Sequence, residues 1–320
     1  MDNLSLQQEN IQIKKEKKID RVIRNFKKEK HIWLICAPII LWVLLFAYYP
    51  MYGMLIAFFH YTPGKSILAC DWAGLFYFKQ FFNAPEFFNI LRNTLAISGL
   101  NLLFGFPAPI ILALLINEIG NKRFKKTVQS ITYLPYFISW VVTASLIFTF
   151  LSTDGLLPVI LQKFGLLKNE ISFLGEGKYF WTIITSANIW KGVGFSSILY
   201  LSAIAGIDKE LYDAAEVDGV NRFGKVWHIT LPGIRSTIVL LLILQIGSIL
   251  NAGFEQQLLL GSPQTREYWD VIDTYAYRYG IQLGRYSYGM AVGLFKSVIG
   301  LTLVFLTNRL SKKFFDLSVI

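Results

Sequence analysis

The stretch Asp213-Ala214-Ala215-Glu216-Val217-Asp218-Gly219-Val220-Asn221-Arg222-Phe223-Gly224-Lys225-Val226-Trp227-His228-Ile229-Thr230-Leu231-Pro232 lies between two apolar runs, Phe180 to Ile207 and Ser236 to Ala252. Each run is long enough to cross a bilayer. Asp208 is placed to cap a helix over Lys209 to Val217, Gly219 permits a sharp turn, and Asn221 caps a second helix that must stop before Pro232. The expected result is a helix, a turn and a helix along one membrane face. Ala214 and Ala215 leave one surface without bulk, so a partner's backbone can approach, and Asp213 offers a carboxylate to a partner's Arg or Lys. An interfacial amphipathic hairpin with no partner is the other reading of the same residues.

The whole chain agrees with a membrane setting. Hydrophobic residues make up 54% of 320 positions and charged residues 16%, with a mean hydropathy of +0.46. A soluble domain is about a quarter charged. Cys36 and Cys70 cannot form a disulfide framework and fit no metal spacing, so both read as packing residues. The first apolar run begins at Ile32 and exceeds a signal h-region, so no cleavable signal peptide is expected and the N-terminus is expected on the cytoplasmic side.

The net charge of +10 does not point to nucleic acid, because Lys14, Lys15, Lys17, Lys18, Arg21, Arg24, Lys27, Lys28 and Lys30 sit directly before that run. Lipid headgroups are the simpler partner. Ile19, Val22, Ile23 and Phe26 share one face of a helix that would lie on anionic lipid. A basic tail that only sets topology satisfies the same residues.

Six segments qualify as spans: Ile32 to Phe59, Thr94 to Ile116, Val128 to Leu151, Phe180 to Ile207, Ser236 to Ala252, and Gly289 to Leu310. An even count puts both termini on one side. With the N-terminus inside, the inner loops and the C-terminus hold Lys122, Arg123, Lys125, Lys126, Lys209, Arg222, Lys225, Arg235, Arg309, Lys312 and Lys313. The outer loops, though longer, hold Lys65, Lys79, Arg92, Lys163, Lys168, Lys178, Arg266, Arg278 and Arg285. The basic tail tips the balance further, and positive charge stays cytoplasmic. Pro38, Pro50, Pro107, Pro109, Pro135, Gly192 and Gly194 fall within spans and predict kinked, closely packed helices around a pathway, or ordinary membrane-helix composition.

The loop carries a recognisable pattern. Asp213-Ala214-Ala215, three residues, Gly219, nine residues, then Ile229-x-Leu231-Pro232 resembles the Glu-Ala-Ala…Gly…Ile-x-Leu-Pro signature of permease subunits of binding-protein-dependent ATP-binding-cassette importers. The departure is Asp213 in place of Glu, one methylene shorter. The resemblance implies a type I importer permease fold and a coupling role for Asp213, Ala214, Ala215, Gly219, Ile229, Leu231 and Pro232 in a cleft of an ATPase subunit. Asn93-Thr94, Trp190-Lys191-Gly192-Val193-Gly194-Phe195 and Asp270-Val271-Ile272-Asp273-Thr274-Tyr275 look like the carbohydrate branch, particularly permeases for complex oligosaccharides.

Other chemistries find little support. Gly64-Lys65-Ser66 resembles a phosphate loop, but Phe59 occupies the position of the leading glycine, so the segment reads as a turn. No acidic or His relay lies mid-span; the intramembrane charges are Lys191 and Lys296, the latter near enough to the outer end to snorkel. His31, His60 and His228 lack metal-site spacing. For a sugar path, aromatic faces and amides are expected, and Trp140, Asn188, Trp190, Gln245 and Asn251 supply both. Each equally serves an interfacial belt or a helix–helix tie. Tyr268, Tyr275, Tyr277, Tyr279, Tyr286 and Tyr288, with Glu255, Gln256 and Gln257, form either a surface for a sugar-loaded binding protein or an aromatic girdle.

The expected organisation is an all-α membrane protein: a basic tail over 1–31, a first transmembrane helix over 32–60, an outer loop over 61–92, a five-helix permease core over 93–310 containing the helix-turn-helix coupling loop 208–232, and a tail over 311–320. The resemblance implies a bacterial cytoplasmic membrane and no cofactor. It also implies two ATPase subunits, a second permease of similar fold expected to be distinct, and an extracytoplasmic solute-binding protein. A secondary carrier or channel driven by an ion gradient is the alternative.

Overall fold

The computed structural model describes residues 30–166 and 171–315. The amphipathic reading of the basic tail before Lys30 lies outside them. Contacts divide the chain after Leu55 into two units. In the first, α1 (Lys30–Val43) carries Pro38 inside it and runs on through a π turn at Leu44–Tyr48.

The second unit opens with α2 (Phe76–Phe82) and α3 (Phe87–Leu100). A π turn at Asn101–Gly105 joins α3 to α4 (Pro107–Asn117), giving one long apolar span. Pro107 and Pro109 lack backbone donors, and the widened turn absorbs the missing hydrogen bonds ahead of them.

Asn121 caps α5 (Lys122–Tyr133) by accepting from the backbone N–H groups of Arg123 and Phe124. The chain then tightens into a 3-10 turn at Leu134–Phe137, extends at Ile138, and restarts as α6 (Trp140–Leu151), capped by Ser139. The continuous span expected over Val128 to Leu151 is therefore broken. Pro135 sits at the break, and the freed carbonyls are satisfied from another helix: Lys191 Nζ donates to Pro135 O at 3.3 Å, Tyr136 O at 3.0 Å, and Ile138 O. A helix break inside a membrane needs such partners.

After α7 (Leu156–Lys163) comes α8 (Phe180–Ala205), which supplies Lys191. One turn further, a Cβ added at Gly194 would lie 1.9 Å from the Thr132 carbonyl oxygen, so only glycine lets α8 reach α5 here. Phe195 stacks on Tyr136 with ring centroids 4.0 Å apart. The Trp190-to-Phe195 motif is thus the seam that holds the broken span.

The chain continues through α9 (Lys209–Val217), α10 (Arg222–Lys225), α11 (Leu231–Gly233) and α12 (Arg235–Gly247), with bends of 73° between the α8 stretch and α9 and 61° between the α10–α11 stretch and α12. Instead of reaching Ala252, α12 ends at Gly247. Asn251 donates back to Ser248 O, and Gly253 adopts φ +94°, so the last stretch of the expected span is unwound.

Short helices α13 (Glu255–Leu260), α14 (Arg266–Trp269) and α15 (Ile272–Tyr277) fill the outer segment before α16 (Tyr286–Phe315). Four helical stretches are long and apolar enough to cross a membrane, and two bent pairs bring the count to as many as six among the described residues. Among the described residues the fold is all-α, with one isolated bridge between Phe59 and Trp72.

Three buried clusters run through the second unit. Phe81, Ile90, Tyr275, Tyr288 and Val292 form one, and Ile97, Ala144, Phe180, Ile184, Trp269 and Val271 a second. Ala113, Tyr200, Ile204 and Ile234 form the third, which anchors the exit of the α9–α11 hairpin on α4 and α8.

Candidate functional site

The hairpin folds by local rules. Asp208 accepts from Glu210 N–H at 3.0 Å and starts α9. Gly219 closes it at φ +70°, with Gly219 N–H donating to Glu216 O at 3.1 Å and Val220 N–H to Ala215 O at 2.9 Å, the paired bonds of a Schellman turn. Asn221 then accepts from Gly224 N–H at 2.7 Å and starts α10, which widens into a π turn at Val226–Thr230 before Pro232.

The two limbs are tied to each other. Tyr212 and Thr230 hydroxyls share a hydrogen bond at 2.9 Å, and Lys225 Nζ meets Glu216 Oε2 at 2.9 Å. The Lys225 hydrogen bond, with its charge, holds the Glu216 carboxyl below its ordinary pKa. At the base, a Cβ on Gly233 would lie 2.7 Å from Ile207 Cδ1, and Ile234 is fully buried. Movement of the hairpin must therefore move the ends of α8 and α12.

Of the predicted loop residues, Asp213, Ala214, Gly219 and Pro232 are exposed, while Ile229 and Leu231 are half-buried. Ala215 differs from expectation. It is buried within the hairpin, because the face of α9 that carries it turns toward the second limb. Sequence reading also missed the apolar face: Val217, Phe223 and Trp227 are 89%, 74% and 60% exposed, and the Phe223 and Trp227 rings stack one helical turn apart. Their signal was the presence of large apolar side chains in an otherwise polar loop.

Above the hairpin a polar cavity of about 300 Å³ opens between α3, α8 and the unwound end of α12. Asn188, Gln245 and Asn251 from the predicted path line it, and Asn101, Ser98, Ser196, Ser248 and Gln256 join them. Asn188 Nδ2 donates to Asn101 Oδ1 at 3.4 Å, and Asn101 Nδ2 to Ile97 O at 2.9 Å. The buried Ser98 hydroxyl has no hydrogen-bond partner among the described residues. Among the described residues no charged side chain lines the wall. Amides and hydroxyls donate and accept at once, which suits sugar hydroxyls.

Trp140 and Trp190 are not part of this wall. Trp190 lines a separate, apolar cavity of about 610 Å³ with Leu146, Phe150 and Ile183. Two residues along a helix is about a 200° rotation, so Trp190 cannot share a face with Asn188 and Gly192. Lys191 lies over the Trp140 ring at 5.6 Å.

The tyrosine-rich outer segment is largely interior. Tyr275 and Tyr288 are buried and share a hydroxyl–hydroxyl bond at 2.7 Å, whereas Tyr286 is exposed. Gln257 is fully buried and donates to Ala252 O. Burial pushes the Tyr275 hydroxyl pKa up. Burial also raises that of Asp270, against the lowering effects of its Thr274 hydrogen bond and the Arg278 charge.

A family model described as binding-protein-dependent transport system inner membrane component matches residues 105–316. The chain belongs to this family. Protein LplB of Bacillus subtilis (strain 168) is 47% identical over 289 residues, covering 90% of each chain. In the same organism, the polygalacturonan/rhamnogalacturonan transport system permease protein YteP is 45% identical over 302 residues, covering 94% of this chain and 93% of its own. A crystal structure of a bacterial alginate ABC transporter, in complex with an alginate pentasaccharide-bound periplasmic protein, superposes with a TM-score of 0.85 at 42% identity. The match covers 93% of this chain and 100% of that one. The chain is thus a multi-pass permease component of a membrane transport system.

Proposed function

We propose that this chain is one permease half of an ATP-driven importer of oligosaccharides, moved by separate ATPase subunits through the loop at 208–232. The observation that carries this is the hairpin: a capped, internally bonded lever with an exposed Asp213 and an exposed apolar face, rooted on Ile207 and Ile234. Two ATPase subunits bind the hairpins of this chain and of a second, distinct permease, and a solute-binding protein delivers sugar from the outside. In this reading both termini face the cytoplasm of a bacterial cell, and the tail, first helix, outer loop and five-helix core divide at the boundaries given above. Closure of the ATPases draws the hairpins together and rocks the bundles between inward- and outward-facing states. Asn188, Gln245 and Asn251, with Asn101 and Gln256, line the path.

The sugar class follows the similar proteins, whose names carry polygalacturonan, rhamnogalacturonan and the acidic polysaccharide alginate. In the assembled complex, Asp213→Arg and Gly219→Leu are expected to abolish stimulation of ATP hydrolysis by the loaded binding protein. Wild-type stimulation in both variants would remove the hairpin from the mechanism. Sugar uptake by vesicles holding this chain alone would replace the importer with a carrier.

A further inference from the structure

We propose that Lys296 is the residue of the path that reads the carboxylates of a uronate-bearing glycan; this rests on the importer reading and the sugar class above. Lys296 lies about 15 Å along α16 from its start, within an apolar span. An ionisable side chain within an apolar span is a functional candidate by default. Its ammonium donates to Asp273 Oδ1 on α15 at 2.5 Å. Both side chains remain partly open, at 18% and 26% exposure.

What they open onto is a second cavity of about 550 Å³, lined by Asp273, Lys296, Gly293, Ser297, Gly300, Ser248 and Asn251. Its volume lies within the range of small-ligand sites, about 300 to 1,000 Å³. Ser248 and Asn251 also line the polar cavity described above, so the two share that part of their walls.

The surroundings separate this pair from a packing clamp. A Cβ added at Gly293, on the turn before Lys296, would meet nothing within 4 Å, whereas Gly300 on the turn after it packs on the Gly247 carbonyl. A clamp needs no such space beside it. An ammonium has three N–H donors, and Asp273 takes one. Before substrate arrives, Asp273 neutralises the lysine, as an intramembrane charge requires. A uronate carboxylate entering from the amide-lined cavity then takes the remaining donors, while its hydroxyls meet Ser248, Asn251 and Ser297. Lys191 cannot do this, because its ammonium is spent on three backbone carbonyls.

The test uses the full assembly, with its ATPases and binding protein, in vesicles supplied with trigalacturonate or its carboxyl-reduced neutral counterpart. Wild type is expected to import the charged sugar. The double variant Lys296→Gln/Asp273→Asn, which removes both charges and keeps hydrogen-bonding groups, is expected to lower the charged-to-neutral uptake ratio about tenfold or more, the scale of one charge-assisted hydrogen bond. Lys296→Arg is expected to retain the preference. A double variant with an unchanged ratio, or a wild type that imports only the neutral sugar, overturns the assignment while leaving the importer reading intact. Import of no glycan at all by the wild type overturns both. Should the double variant fail to assemble, Gly293→Leu, which narrows the cavity beside Lys296 and leaves the ion pair, decides: a lowered charged-to-neutral uptake ratio supports the assignment and an unchanged ratio overturns it.

Discussion

Asn93 Nδ2 donates to the backbone carbonyl of Asp270 at 2.9 Å, across a sequence separation of 177 residues. The same amide reaches Glu267 O at 2.9 Å, and the neighbouring Thr94 hydroxyl accepts from Ile272 N–H at 3.1 Å. The middle of α3 therefore fastens the outer segment before α16. Two motifs that looked independent in the sequence are the two halves of one contact.

Asn93→Ala should leave the Asp270 carbonyl without this donor in a site that is almost fully buried, while Arg92 still serves the Glu267 carbonyl. The expected loss is about 2 kcal/mol, within the usual range for an unsatisfied buried group. Thermal unfolding of the detergent-solubilised protein reads it, and an unchanged midpoint would show that the outer segment is held elsewhere.

Gly194 and Gly192 should respond oppositely to alanine. At Gly194 the new methyl meets the Thr132 carbonyl, whereas at Gly192 it meets nothing within 4 Å. Gly194→Ala is expected to destabilise by about 1 to 3 kcal/mol, and Gly192→Ala to be neutral or to stabilise by a few tenths. Gly192→Phe, directed at the polar cavity wall, should preserve stability and block uptake; unimpaired transport by that variant removes the cavity from the path.

Lys191→Met removes the donor to the carbonyls at Pro135, Tyr136 and Ile138. A loss of about 1 to 3 kcal/mol is expected, together with faster amide exchange in α5 and α6. Normal exchange at 134–139 would mean that the break is closed by other groups.

The Glu216–Lys225 pair gives the hairpin a pH dependence of known sign. Because Glu216 titrates below its ordinary value of 4.5, its contribution is complete above that value and fades as pH falls through the lowered one. Hairpin amide exchange should therefore be constant near neutrality and faster in acid, and Glu216→Gln should remove the difference. The effect is small, since Glu216 is exposed.

Tyr212→Phe deletes the hydroxyl tie to Thr230 and should weaken the hairpin by about 1 kcal/mol. Coupling efficiency, ATP hydrolysed per sugar moved, is the measurement. A ratio identical to wild type would show that the limbs act as one body without the tie.

Much of the hairpin was legible because its signals are local: Asp208 and Asn221 cap, Gly219 turns, and Pro232 stops, each through backbone groups a few residues away. Ala215 was misplaced because its burial depends on how the second limb folds back. The break at Ile138 was hidden in an apolar run, since the group that makes it tolerable, Lys191, lies 53 residues downstream. Separating Asn188 from Trp190 needed only the helical period. Asn101 and Gln256, by contrast, gain meaning only from helices that meet in space.

The cavity wall at Gly105 and Gly192 is bare backbone. If the cavity is the path proposed above, such a wall has no side-chain rotamers to freeze as a glycan passes, and each step would lose little conformational entropy. Smooth, weakly sticky walls favour turnover over tight capture, leaving selectivity to a few polar contacts and to whatever delivers the sugar.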